Sequence, residues 1–576
     1  MWQAGLVAPA AQGTFTRDES LRRLASERFD VVVVGGGVTG AGVAVDAASR
    51  GLRTALVEKG DFASGTSSKS SKLVHGGIRY LQQREVGLVY ESLAERQHLL
   101  ENAPHLVSPI PFLIPLFGHN GVVSKTLSRT YATVLWLYDL TGGVRIGKRH
   151  RRVKKAEALA HMPTLRTDRL VAGFLYWDAR ADDARITLAL VRTAVLDHGA
   201  VAANYAQACG LLLGPDTRVE GVRVRPVRRP GAPAGEEFEV RGSVVVNATG
   251  VWADDLRALD EGSHPHSLRP AKGIHATLPA TKLPVDVAAV LPVPGDRRSV
   301  FVLPWPEGGL VYVGTTDTAY DGPLDDPTCT PQDVDYLLDA VNAATTSAVS
   351  RTDVTGVWAG LRPLLAPGPG GKVRSARTTD LSRRHSVRTS RHGLVTVTGG
   401  KLTTYRKMAE DTMTQVVAAL PAERGAGPCV TKSLRLRGAP STGATPRNEE
   451  DGSLRARLAA RYGTEAADVL ALAEGRPELL DPVVEGLPYL GCEVVYAARS
   501  EMATSIDDVL SRRTRAVLQA ARPSAEASIR VAELLTPELG WTPEEAAAEA
   551  AAFARRALGE LAAAGIPMGD AARSGS

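Results

Sequence analysis

Val31-Val32-Val33-Val34-Gly35-Gly36-Gly37-Val38-Thr39-Gly40 is the stretch that decides the fold. Four β-branched apolar residues run into a G-x-G-x-x-G turn. A second apolar segment, residues 53–57, ends on Glu58, about 20 residues beyond the turn, as a dinucleotide fingerprint requires. The order is strand, tight turn, helix, strand, acid. Gly35 allows the turn, Gly37 lets the backbone approach a pyrophosphate, and Gly40 lets the helix near 38–50 lie close on the strand. The phosphates belong at that helix N-terminus, where unpaired N–H groups and the dipole favour negative charge. Glu58 is placed to accept hydrogen bonds from a ribose. The motif does not say which dinucleotide is bound.

At 576 residues the chain is too long for one ordinary core and implies two or three domains. Apolar residues at 44% and charged residues at 23% are those of a soluble globular protein. A net charge of +5 is too weak to argue for nucleic-acid binding, but it suits an anionic small substrate or an anionic membrane surface. Cys209, Cys329, Cys429 and Cys492 are scattered without a C-x-x-C, which points to neither a disulfide framework nor a metal site, and to a reducing, intracellular setting. Residues 1–28 are Ala-rich, lack the pattern of a secretory signal, and read as a flexible extension. No stretch reaches the ~18 apolar residues of a spanning helix.

Further along, residues 84–101 read as an amphipathic helix. Pro104, Pro109, Pro111 and Pro115 exclude a helix over 104–118 and suggest an extended or turn-rich apolar surface. Residues 129–140 are apolar and aromatic. Asp183 opens a helix, and residues 220–246 alternate as strands do. The composition changes near 421. The reading is a discontinuous cofactor and substrate region over 29–420, a linker over 421–451, and a C-terminal helical domain over 452–576. Within the last, the charged segment 505–515 reads as a solvated, salt-bridged face, with self-association or partner contact as the alternative.

Three strands feed glycine turns: the first into Gly35-Gly36-Gly37, residues 243–246 into Ala248-Thr249-Gly250, and residues 394–398 into Gly399-Gly400. Ligands of open α/β sheets bind beyond the carboxyl ends of strands. Turns so far apart in the chain fit one large cofactor gripped from several sides, which favours FAD over NAD. If Lys401-Leu402-Thr403-Thr404 opens a helix, its free N–H groups and Lys401 face the flavin pyrimidine edge and stabilise the negative charge of the reduced ring.

The chain resembles the FAD-dependent glycerol-3-phosphate dehydrogenase family, of the aerobic, quinone-linked type, among the D-amino-acid-oxidase-like flavoproteins. The resemblance rests on Gly35-Gly-Gly-Val-Thr-Gly40, Thr66-Ser-Ser-Lys-Ser-Ser-Lys-Leu-Val-His-Gly-Gly-Ile-Arg-Tyr80, Asp183-Ala-Arg185 and Ala271-Lys-Gly-Ile-His275. It continues through Val313-Gly-Thr-Thr-Asp317, Ala359-Gly-Leu-Arg-Pro363, Ser382-Arg-Arg-His385 and Gly399-Gly-Lys-Leu-Thr-Thr-Tyr-Arg406, in family order over roughly residues 29–420. It implies an α/β (α+β) architecture: a Rossmann-like FAD domain of the glutathione-reductase/D-amino-acid-oxidase type, a β-rich substrate domain and a C-terminal all-α domain. It implies a cofactor site that includes Thr66, Ser67, Ser70, Ser71, Leu402 and Thr403 besides the glycine turns and Glu58.

The implied substrate is sn-glycerol 3-phosphate, a dianion that arginine is suited to bind. The resemblance places substrate cations at Arg79, Arg362, Arg383 and Lys401, with Tyr80 and His275 bordering the pocket. The implied reaction oxidises the C2 alcohol to dihydroxyacetone phosphate by hydride transfer to FAD. His275 is the candidate base, and Arg362 the candidate for stabilising a developing alkoxide. The acceptor implied is membrane quinone. Trp136, Tyr138 and the basic run over 145–155 suit a cytoplasmic protein held peripherally on an anionic membrane. A glycerol-3-phosphate oxidase that makes peroxide, an amine or amino-acid oxidase of the same fold, and a non-catalytic flavin-binding protein are the alternatives; a homodimer stays open.

Overall fold

Residues 31–33 are wholly buried at the centre of an eight-stranded sheet, which is why they read as an unbroken apolar run. The computed structural model describes residues 15–78, 85–118, 125–227, 231–296, 298–305, 307–366, 384–441 and 453–568. The strand Arg28–Val34 lies parallel between Thr54–Val57 and Phe238–Asn247, with Val34 opposite both Val57 and Asn247. Val201–Ala203 extends the sheet on one side; Val395–Gly399 and His385–Thr389 extend it on the other. All three glycine turns therefore leave the same end of neighbouring parallel strands. The helix Val38–Ser49 packs on Tyr405–Ala419 and on Asp183–Arg192.

A second sheet has ten strands. Leu268–Pro279 pairs antiparallel with Gly356–Leu365 and Leu310–Gly314. The proline-rich segment is not a surface: Val107–Phe117 is a largely buried strand paired antiparallel along Leu170–Ala181. Pro109, Pro111 and Pro115 occupy alternate positions, so the missing N–H groups all point to one side and the ladder on the other survives. Residues 129–140 lie in the helix Lys125–Leu140.

The structure departs from three of the sequence readings. Residues 17–26 of the supposed extension form a helix, Arg17–Ser26, with Ser20 and Leu24 buried one turn apart. Arg17 fixes it by donating to the carbonyls of Asn204 at 3.1 Å and Tyr205 at 3.2 Å. Residues 421–441 are pinned rather than free: Leu436 is buried, and Arg437 bridges Asp197 at 2.7 Å and Glu465 at 2.8 Å. The C-terminal helices include Leu454–Tyr462, Gly491–Glu501, Ser528–Leu539 and Pro543–Ala563. The charged segment 505–515 is not a solvated face. Asp508, Arg512, Arg513 and Arg515 are buried: Arg512 and Arg513 pair with Asp61 and Arg515 with Asp182, while Asp508 pairs with Arg512 inside the segment and accepts from Tyr205.

Candidate active site

A cavity of about 490 Å³ runs across the carboxyl ends of the central strands. Its wall takes residues from each glycine turn: Gly35 and Gly37, Ala248 to Gly250, and Gly399 to Leu402. Glu58, Thr66 and Ser67 join them, so most of the residues expected to hold the cofactor converge. Gly35 has φ 112, and a Cβ there would lie 2.6 Å from the carbonyl oxygen of Ala248. Only glycine therefore lets the first two turns touch. Gly40 lies beneath the wall. A Cβ on it would fall 1.8 Å from Gly35 O, so it seats the helix on the turn.

Glu58 is committed to the turn as well as to the cavity. Its Oε2 accepts from Gly36 N at 2.6 Å and its Oε1 from Gly60 N at 2.8 Å. Burial nevertheless raises its pKa, outweighing those two bonds. Ser67 Oγ accepts from Val38 N at 2.9 Å, tying the hydroxyl-rich loop to the helix start. Thr403 is buried just behind the wall and accepts from His75 N at 3.2 Å.

Ser70 and Ser71 are not among the residues that line the cavity. Ser70 Oγ donates to Asp183 at 2.7 Å, and Lys72 Nζ donates to the other oxygen of the same carboxylate at 2.8 Å. Asp183 thus anchors the loop to the helix Asp183–Arg192. Ser71 Oγ lies 2.8 Å from His275 Nε2. The hydroxyls of these two serines meet neighbouring protein groups.

Lys401 lies in the wall, caps the short helical turn Leu402–Thr404 that leads into Tyr405–Ala419, and donates to Ser92 Oγ at 3.3 Å. The expected helix start at this point is therefore a 3₁₀ turn followed by an α-helix. Arg362 stands next to the lining residue Pro363. Its guanidinium donates to Thr316 O at 3.2 Å and Thr315 Oγ1 at 3.0 Å, with Asp317 at 3.7 Å. Gly273 makes room for it: a Cβ there would lie 2.3 Å from Arg362 Nη2.

His275 is buried on the same face of the sheet. It stacks on Trp358 at 4.7 Å between centroids, and Gly314 leaves space for its ring. Burial, then the charges of Arg362 and Lys72, push its pKa well below the ordinary histidine value. Arg79, Tyr80 and Arg383 lie outside the described residues.

Other lining residues were not foreseen. Gln207, Cys209 and Arg225 reach the cavity from strands without a turn motif. Trp252, two residues past Gly250, stands in the wall with Lys59 Nζ 4.0 Å from its ring. Among the described residues no group of three His, Cys, Asp or Glu side chains converges as a metal site.

The model of the FAD dependent oxidoreductase family matches residues 30–406, and that of the C-terminal domain of alpha-glycerophosphate oxidase matches residues 429–546. Glycerol-3-phosphate dehydrogenase 2 of Mycobacterium bovis is 41% identical over 570 residues, covering 97% of this chain and 92% of that protein. The chain belongs to the FAD-dependent glycerol-3-phosphate dehydrogenase family. The mitochondrial glycerol-3-phosphate dehydrogenase of Bos taurus is 38% identical over 536 residues, covering 90% of this chain and 71% of that one. The crystal structure of the Bacillus halodurans glycerol-3-phosphate dehydrogenase complexed with FAD superposes with TM-score 0.73 at 31% identity, covering 96% and 98% of the two chains. The cofactor of this FAD-dependent dehydrogenase is FAD. The cavity fits it: a glycine turn that a side chain would fill, a helix start facing the cleft, and walls drawn from early, middle and late segments.

Proposed function

We propose that the protein oxidises sn-glycerol 3-phosphate at C2 to dihydroxyacetone phosphate and passes the electrons to a membrane quinone. The observation that carries this reading is the placing of Lys401 in the wall of the cavity, with Arg362 next to a lining residue. Bound FAD supplies the hydride acceptor. Gly35, Gly37 and the first turn of Val38–Ser49 hold the pyrophosphate, and Glu58 borders the ribose. Lys401 stabilises negative charge at the site, and Arg362 offers a fixed cation to the alkoxide or the phosphate. His275, kept neutral by burial, takes the proton of the C2 hydroxyl. Arg79, Tyr80 and Arg383 complete the anion pocket in this reading. Support comes from the relatives, which are named glycerol-3-phosphate dehydrogenases.

The deciding experiment is anaerobic titration of the purified yellow protein with glycerol 3-phosphate, reading flavin absorbance. Bleaching at stoichiometric substrate is expected. A flavin bleached by glycine or D-amino acids but not by glycerol 3-phosphate overturns the substrate; a flavin that no substrate bleaches marks a binding protein. Under air, a peroxide yield equal to substrate consumed would replace the quinone with oxygen.

A further inference from the structure

The C-terminal domain reaches the cofactor turn through one carboxylate. Asp61 is 1% exposed and accepts from Arg513 Nη1 at 2.7 Å, Arg513 Nη2 at 2.9 Å, Arg512 Nε at 2.6 Å and Asn204 Nδ2 at 3.1 Å. Arg513 is itself buried and spends a further donor on Glu501 O at 2.8 Å. The two guanidiniums hold the Asp61 acid down at about 2, so it stays ionised over the working pH range.

The neighbours of Asp61 form the outer wall of the glycine turn. Glu58 accepts from Gly36 N, and Ala63 N donates to Gly36 O at 3.1 Å. Phe62 presses so near that a Cβ on Gly36 would lie 2.9 Å from its ring. Ala63 holds φ 65, a conformation that a non-glycine residue keeps only when its surroundings impose it. The contacts thus run from Arg513 to Asp61, along residues 61–63, and onto Gly36. A buried carboxylate that loses its guanidinium is left uncompensated and must move toward water, taking its loop with it.

We propose that Arg512 and Arg513 are positioning residues of the FAD site: they fix residues 58–64 against the glycine turn, so the C-terminal domain sets how tightly the cofactor is held. The control is Arg192. It is a buried arginine paired with Glu465 at 3.0 Å, and it also ties a C-terminal segment to the FAD half, but it ends on the helix Asp183–Arg192 rather than on the loop. The experiment removes FAD from the full chain and titrates it back, reading flavin fluorescence for Kd and unfolding of the apoprotein for Tm. Arg513→Gln is expected to weaken FAD by about tenfold or more, the worth of one hydrogen bond to a charged group, and Arg513→Lys by less. Arg192→Gln lowers the apoprotein Tm and leaves the FAD Kd within a factor of about two. Wild-type FAD affinity in Arg513→Gln overturns the proposal. So does an equal loss of FAD in Arg192→Gln. Should Arg513→Gln fail to fold, Asp61→Asn is read the same way, and unchanged FAD affinity there overturns it equally.

Discussion

Ser71 Oγ and His275 Nε2 lie 2.8 Å apart, and this bond, with the stack on Trp358, fixes the imidazole in a site from which water is excluded. The consequence is a histidine that stays neutral well below the usual range. At saturating glycerol 3-phosphate, where the ionisation of the free substrate's own phosphate drops out, the stopped-flow rate of flavin reduction is therefore expected to show no inflection near the ordinary histidine value of 6.5. An inflection there that vanishes in His275→Asn would mean that the ring titrates as an ordinary exposed histidine. In the same variant, unchanged reduction kinetics would remove His275 from the chemistry.

The same physics governs acid stability. His105 is wedged against Gly438 and Gly463, and burial, then the charge of Arg185, lowers its pKa to about 4. The unfolded chain binds these protons more readily than the folded one. The stability due to His105 and His275 is thus fully present above about pH 6.5 and is lost as pH falls toward their folded values. For His105 alone the whole shift is worth about 3 kcal/mol at most. The Tm is expected to drop from pH 7.5 to 4.5, and His105→Gln to flatten that dependence. A dependence as steep in the variant as in the parent would refute the assignment.

Gly40→Ala tests the seat of the helix. The added methyl would overlap a backbone oxygen, which cannot swing aside as a side chain can. A cost of about 3 kcal/mol or more is expected, from overpacking against a fixed atom, together with loss of FAD on purification. Gly51→Ala is no fair comparison, since Gly51 has φ 83; Gly559→Ala, in the helix Pro543–Ala563 with open space around it, is the reference, expected to gain up to about 1 kcal/mol from helix propensity. A yellow Gly40→Ala protein with parental Tm would contradict the close approach.

Much of this was legible in the chain because it depends on local spacing. The βαβ unit writes itself as four valines, three glycines and an acid; the turns at 248–250 and 399–400 announce themselves by strand followed by glycine. What was illegible depends on partners distant in sequence. Arg512 and Arg513 look like surface charge until Asp61 is brought to them from 451 and 452 residues away. That the hydroxyls of Ser70 and Ser71 meet Asp183 and His275 is visible only once residues 113 and 204 positions away are brought to them. The strand Val107–Phe117 is masked by its prolines, which composition reads as breakers and register reads as tolerated.

Lys401 offers a direct electrostatic test. In the proposed reaction the cation of Lys401, which lines the cavity, stabilises the transition state more than the ground state, so Lys401→Met is expected to lower kcat/KM by about 10²-fold. The flavin potential, measured by dye equilibration, should fall in parallel. A loss of kcat/KM with an unshifted potential would move Lys401 from the flavin to the substrate.

The last prediction concerns the helix Lys125–Leu140, whose two sides have opposite fates. Leu135 and Tyr138 are buried, while Trp136 is 62% and Leu140 66% exposed. Tyr138 accepts from Gly76 N at 2.9 Å, which links this helix to the hydroxyl-rich loop at the site. Nearby, Arg145 covers exposed Tyr90, and Lys148 lies over Trp177. Large apolar side chains beside cations are what an anionic bilayer surface attracts. Not all of the basic run is available: Arg151 pairs with Glu157 and His150 with Asp139. Flotation with phosphatidylserine vesicles is therefore expected to fall sharply in Trp136→Ser/Leu140→Ser, whereas Arg151→Ser weakens it little. No flotation of the parent protein at low salt would count against a membrane face, and with it against a lipid-borne electron acceptor.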